Sequence, residues 1–436
     1  MNSEAAPAPG PGEALSERER ARGRRLAIAS HPAGMTHRMV FTEHLPTLAL
    51  LALGAGETLV GLQRSFVYLA VLLQLPTLRL VGHLPKRGIL VAGQMVALAG
   101  SAPLLWFGAL EARGGAPALA AALACFAVAA AGFAIAETVW FPMLHGYQEQ
   151  ARIGRFFALL RTGWHLALIA YFLGARRWLA LHPGSFGLLF GIGLALGMLR
   201  VLLISRLPER SERTGAAIRV REAVALLRRE PLLRRYLAGI ATAGAVRLVV
   251  FTFAMVMMRR VIGFSEGQVL YTTVAIFSGG LASLWVWGRV VDAVGPEPVF
   301  RWTALGQAAL ILGFLGVSGP DAGSLRLAVG LFFGLWALGA GFDVADTHVI
   351  FGMAPEHAPA RTLVVARVTE TAIRGVAPLA VGVVLEQILA ARLDPLSVYR
   401  GLFVAAAALE LCAILPLRAF RRGGAQPREA RRQRPR

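Results

Sequence analysis

Cysteine is almost missing from this chain. The two present, Cys125 and Cys412, each sit inside an apolar run, so neither a disulfide framework nor a thiolate metal site can be assembled. Lysine is rarer still, with Lys86 alone, and the positive charge is otherwise carried by arginine. No glycine-rich phosphate loop follows a strand pattern and no Walker loop occurs, which disfavours nucleotide-driven chemistry. Histidine and cysteine lack metal-ligand spacing. These absences exclude the familiar enzyme constellations and leave no cofactor or metal to expect. No apolar run precedes Leu26, so the start of the chain does not read as a cleavable signal peptide.

Charge of either sign is also scarce, at 16% of residues against 56% hydrophobic ones, with a mean hydropathy of +0.59. A chain of 436 residues cannot hide that much apolar surface in one soluble core. It reads as an all-α membrane protein embedded in a lipid bilayer.

Apolar stretches of about 20 residues mark the spans. They fall near Ser30 to Leu53, Thr58 to Leu80, Gly88 to Leu110, Pro117 to Leu144, Phe156 to Gly174 and Phe186 to Ile204. Six more lie near Tyr236 to Met258, Gln268 to Val290, Val299 to Val317, Leu325 to Gly352, Leu363 to Leu389 and Val398 to Leu417. The expected organisation is a disordered basic tail over 1–29, a six-helix half over 30–205, a basic connector over 206–235, a second six-helix half over 236–418 and a basic tail over 419–436. Inside the connector, Ile218, Val220, Val224 and Leu227 alternate with Arg219, Arg221 and Arg228 in the manner of a helix lying on a membrane surface.

The formal charge of +20 comes from clusters in both tails and the connector. Clusters of that kind beside spans set topology and put both termini in the cytoplasm. Without a recognisable binding module they do not point to nucleic acid. The preference for arginine over lysine reads as a GC-rich bacterial genome, hence an inner (plasma) membrane.

The halves repeat one another. Gly82 and Gly288 stand 206 residues apart, as do Arg155 and Arg361, and Arg161 and Arg367. Upstream the spacing is 209, which superposes Glu57 on Glu266. Internal repeats of this kind are characteristic of secondary transporters, whose halves rock about a site at their interface.

With its twelve spans, basic central loop and a glycine-and-charge signature after the second span of each half, the chain resembles the major facilitator superfamily. The second-half signature is Gly288, Arg289, Asp292 and Gly295, followed by Glu297 where the pattern has a base. The first half retains Gly82, Lys86, Arg87 and Gly88 without an aspartate. The resemblance implies a gate role for these loops and a transport function, with a small-molecule solute as partner; the sequence leaves the oligomeric state open, with a monomer as the expectation.

An ionisable group inside a bilayer is costly and needs a reason. At the repeat offsets Arg38 superposes on Arg247 and Glu137 on Asp343. In the resembled family their spans line the central cavity. Arg38 is therefore expected to pair with Glu137, and Arg247 with Asp343, or with the cross-half equivalents. Asp346 shares a helical face with Asp343 and is a second candidate for proton coupling. Glu43 and His44, ahead of Pro46, put a carboxylate beside an imidazole within the first span. Arg161 could attract an anionic solute, whereas Arg367, Glu370 and Arg374 read as an ion-pair stripe. Glu57 and Glu266 read as caps on the outer side, not as sites. Together these features predict a proton-coupled transporter of an organic anion or amphipathic metabolite. The alternative is a membrane scaffold or assembly factor that keeps the fold without transport.

Overall fold

The computed structural model describes residues 15–81, 83–147, 153–209, 230–353 and 359–418, and among these the regular structure is helical throughout. The first helix, α1 (Glu17–Thr42), is started by a capping box in which Ser16 and Glu19 satisfy each other's backbone N–H. It therefore takes in residues 17–29, which the sequence reading assigned to a disordered tail. Residues 1–14, 210–229 and 419–436 lie outside the described residues, and with them most of the connector and the whole expected C-terminal tail.

A break at Glu43 separates α1 from α2 (His44–Ala52). Pro46 explains it, because Pro46 has no N–H to give the carbonyl of Thr42. That carbonyl is taken by Arg64 Nη1 on α3 (Glu57–Leu69), whose other nitrogen reaches Glu43 at 3.1 Å. After a 3-10 turn the passage continues as α4 (Gln74–Val81). The chain goes on through α5 (Lys86–Ser101), α6 (Phe107–Arg113), α7 (Gly115–His145), α8 (Ile153–Leu181) and α9 (Phe186–Ile204).

The second half opens with α10 (Pro231–Val256), where Pro231 occupies the first turn that tolerates it. This helix runs into a π turn over Met257–Ile262. Then come α11 (Glu266–Val294), α12 (Pro296–Gly313), α13 (Ala322–Met353), α14 (Pro359–Ala390) and α15 (Pro395–Leu417). Eleven passages among the described residues are long and apolar enough to cross a membrane. The pair α1 and α2 stands where the sequence predicts the first passage; too polar and too short, respectively, to qualify by hydropathy, the two helices bury much of their surface against their neighbours.

Packing repeats with the sequence. Helix α1 lies along α9 as α10 lies along α15. Two seams join the halves, α3 against α14 and α8 against α11, and each is the repeat image of the other. The first seam closes to backbone contact: a Cβ on Gly61 would run into the carbonyl of Pro378, and one on Gly382 would stand 2.5 Å from that of Glu57. At the end remote from the chain termini the connectors are short and turn through left-handed glycines such as Gly54, Gly184 and Gly263.

Candidate functional site

Between the halves, on the side where the chain termini lie, are chambers of 740, 620 and 100 Å³, and beside them a chamber of 220 Å³ is lined by the first half alone. Trp336 and Trp164 each border more than one of them.

Both repeat-matched pairs are present, each inside its own half. Arg38 Nη1 meets Glu137 Oε2 at 2.8 Å across α1 and α7. Arg247 Nη2 meets Asp343 Oδ1 at 3.0 Å across α10 and α13, with Nη1 on the carbonyl of Gly339 at 3.2 Å and the guanidinium 4.8 Å from the centre of the Phe342 ring. The second pair is lopsided. The Arg247 side chain is 10% exposed and that of Asp343 is 64% exposed, because the carboxylate faces the cavity.

Asp346, one turn on, has a different setting. It is buried against Arg367 at 2.7 Å and accepts the Tyr236 hydroxyl. Arg367 and Arg374 clasp Glu370 at 3.3 and 2.6 Å, which is the stripe the spacing predicted. Asp343 and Asp346 thus share a helical face without sharing an environment. One faces the cavity, while the other is locked among partners.

Glu43 and His44 diverge at the helix break. Glu43 pairs with Arg64, and His44 Nδ1 lies 2.8 Å from Thr273 Oγ1 of the opposite half. Arg161 borders two chambers and has no carboxylate partner among the described residues. Its carbonyl is 2.8 Å from His165 Nδ1.

Of the signature loops, Gly82 lies outside the described residues. The backbone N–H groups of Lys86 and Arg87 donate to the Glu209 carboxylate, at 2.5 and 2.9 Å, tying the start of α5 to the segment that follows α9. A Cβ on Gly88 would meet nothing within 4 Å. Gly288 and Asp292 border the 620 Å³ chamber, Arg289 is exposed, and Gly295 turns the chain from α11 to α12 at φ 85°. The second-half loop therefore reaches the cavity, while the described part of the first-half loop is tied to the segment after α9.

The opposite end is shut. Glu57 accepts from Arg260 at 2.7 Å and from the Tyr399 hydroxyl at 3.1 Å, and Arg260 also donates to the carbonyl of Ala55. Glu266 accepts from the Gly184 N–H at 2.9 Å and pairs with Arg259 at 3.3 Å. Glu386 accepts the Thr58 N–H at 3.0 Å. Glu57 and Glu266 are the first residues of their helices, but the caps are Gly56 and Ser265, and the two carboxylates instead bind across the halves.

Among the charges that escaped the sequence reading, three are buried. Arg64 stood in a run taken as plainly apolar, Arg200 in another, and Glu410 in a third. Arg64 clamps the helix break, Arg200 is buried beside Trp140 in the 220 Å³ chamber, and Glu410 is buried with neither carboxyl oxygen bonded. A charge inside an apolar window was the signal in each case.

A family model described as Major Facilitator Superfamily matches residues 31–378. Among solved structures the chain is similar to a point mutant of the nucleoside transporter NupG, with TM-score 0.69 and 12% identity, covering 92% of this chain and 99% of that one. It is similar to a bacterial homologue of the human lysosomal transporter Spinster, inward-facing and unoccupied, with TM-score 0.65, 13% identity and coverage of 93% and 98%. A D-xylose–proton symporter gives TM-score 0.65 at 13% identity, with coverage of 94% and 99%. Identities this low speak to the fold alone. No curated protein matches the chain.

Proposed function

The chain belongs to the Major Facilitator Superfamily, and from that membership we propose that it carries a small organic anion or amphipathic solute across the membrane by alternating access, coupled to protons. The observation that carries this reading is a charge-lined cavity open toward the termini beneath an opposite end sealed by cross-half bonds. That is one of the two states a rocking carrier visits. We take the moving bodies as the two six-helix halves, residues 30–205 and 236–418. The arginine clusters support reading the open side as cytoplasmic, and the preference for arginine over lysine supports reading the membrane as a bacterial inner membrane.

Charge supports the solute class. Arg38, Arg64, Arg161, Arg200, Arg247, Arg367 and Arg374 border the chambers, against Glu43, Glu137, Asp292, Asp343 and Asp346. All of these arginines but Arg161 and Arg200 have a carboxylate within 3.3 Å. An excess of unpaired guanidinium attracts anions and repels cations.

Proton coupling runs through Asp343, the carboxylate both paired to a buried arginine and open to cavity water. Protonation would release Arg247, and that release can bias the two halves toward another arrangement. The test is uptake of a panel of organic anions into proteoliposomes, with and without an imposed pH gradient. Gradient-driven accumulation should exceed simple exchange, and Asp343→Asn should keep exchange while losing the response to the gradient. Uptake no greater than in protein-free vesicles for every compound overturns the transport reading.

A further inference from the structure

Arg200 on α9 takes no part in proton coupling through Asp343, and its own setting is unusual. It is 8% exposed, yet no carboxylate of the described residues pairs with it and its Nε has no hydrogen-bond partner. Its guanidinium carbon sits 5.0 Å from the centre of the Trp140 ring. A cation–π contact offsets only part of what it costs to bring a charge out of water.

Two more polar atoms around the same ring are also buried and unbonded: Trp140 Nε1 and His31 Nδ1, the latter on an imidazole stacked 5.7 Å from Trp140. Buried polar groups are nearly always satisfied, so three orphans on one cluster point to something missing. All three residues line the 220 Å³ chamber, and Arg161, which has no carboxylate partner among the described residues, lines it too. Phe133 and Phe141 give that chamber apolar walls.

Space has been left for the guanidinium. A Cβ on Gly34 would overlap Arg200 Nη1, so the guanidinium can occupy this position only beside a glycine.

We infer that this recess is a subsite for the carboxylate of an organic anion with an aromatic or apolar body, held by the Arg200 guanidinium against the Trp140 wall. The guanidinium fork matches a carboxylate in plane and spacing, and the anion would supply the missing counter-charge. The inference rests on the solute-carrier reading for the identity of the ligand as cargo, and it adds the residues that hold the charged end. Arg161, exposed at the mouth, would draw the anion in without fixing it.

The test is equilibrium binding to the purified full chain in detergent, read by tryptophan fluorescence and thermal stability, with benzoate as probe and benzamide as its neutral counterpart. Saturable benzoate binding should appear with none for benzamide. Arg200→Gln should weaken it by about tenfold or more, as loss of a charge-assisted bond would. Gly34→Ala keeps every charge but displaces the guanidinium, so it should weaken binding too; it decides the matter if Arg200→Gln does not fold. Benzoate binding no tighter than benzamide, unchanged binding in a folded Arg200→Gln or Gly34→Ala protein, or tighter binding of phenyl phosphate each overturns the assignment. Arg200-dependent benzoate binding without uptake of any solute counts against transport and supports the subsite.

Discussion

Arg260 donates to Glu57 across 2.7 Å at the end of the molecule remote from the termini, and the two residues belong to opposite halves. Because Arg260 also holds the carbonyl of Ala55, and Tyr399 reaches the same carboxylate, this point fastens three passages at once. Arg260→Gln should therefore favour opening at this end. The Arg260 side chain is 36% exposed, so the shift is about 1–2 kcal/mol, discounted for solvent screening. In a Cys125→Ala/Cys412→Ala background, an impermeant maleimide should label Ala55→Cys slowly, and severalfold faster once Arg260→Gln is added. Equal labelling would show that the ion pair does not hold the end shut.

Asp343 and Arg247 are unequal partners, and the inequality orders their variants. Removing Asp343 strands a guanidinium whose side chain is 10% exposed, whereas removing Arg247 leaves a carboxylate already facing the cavity. Asp343→Ala should cost about 2–4 kcal/mol of stability, Arg247→Leu less, and the double variant less than Asp343→Ala alone. Thermal unfolding of the three proteins in one detergent checks the order. A double variant no better than Asp343→Ala would mean that the pair is not the source of the loss.

Asp346 is expected to behave as a structural group. Tyr236 and Arg367 saturate it in a buried setting, so Asp346→Asn should lower stability more than Asp343→Asn. Tyr236→Phe removes one hydrogen bond and should cost about 1 kcal/mol. If Asp346→Asn instead kept full stability and abolished the response to a pH gradient, the coupling role would move to Asp346.

The passages were legible because a bilayer demands about 20 apolar residues at a time, and the repeat was legible because two copies of one ancestral pattern keep their spacing. Matching charges at the repeat offset then brought out Arg38 with Glu137 and Arg247 with Asp343. The same filter hid Arg64 and Arg200, whose repeat mates at 209 and 206 residues are Thr273 and Ala406, neither of them charged. The start of α1 was missed for another reason. Its first turns carry Glu17, Arg18, Glu19 and Arg20, so hydropathy falls there, although Ser16 and Glu19 already spell a capping box. Contacts across the halves, such as His44 with Thr273, depend on how two helix faces meet, which periodicity does not encode.

Arg64 makes the sharpest demand on geometry. It gives one nitrogen to the Thr42 carbonyl freed by Pro46 and another to Glu43 at 3.1 Å, from a side chain 3% exposed. Lysine keeps the charge but has no planar fork, so it cannot hold both acceptors in this arrangement. Arg64→Lys should leave one of them unsatisfied and cost about 1–3 kcal/mol. Pro46→Ala restores an N–H that can bond Thr42, so combining it with Arg64→Lys should recover much of the loss. Thermal unfolding of the two single variants and the combination tests this as a double-mutant cycle. Simple additivity would separate the clamp from the break, and recovery would tie Arg64 to the kink in the first passage.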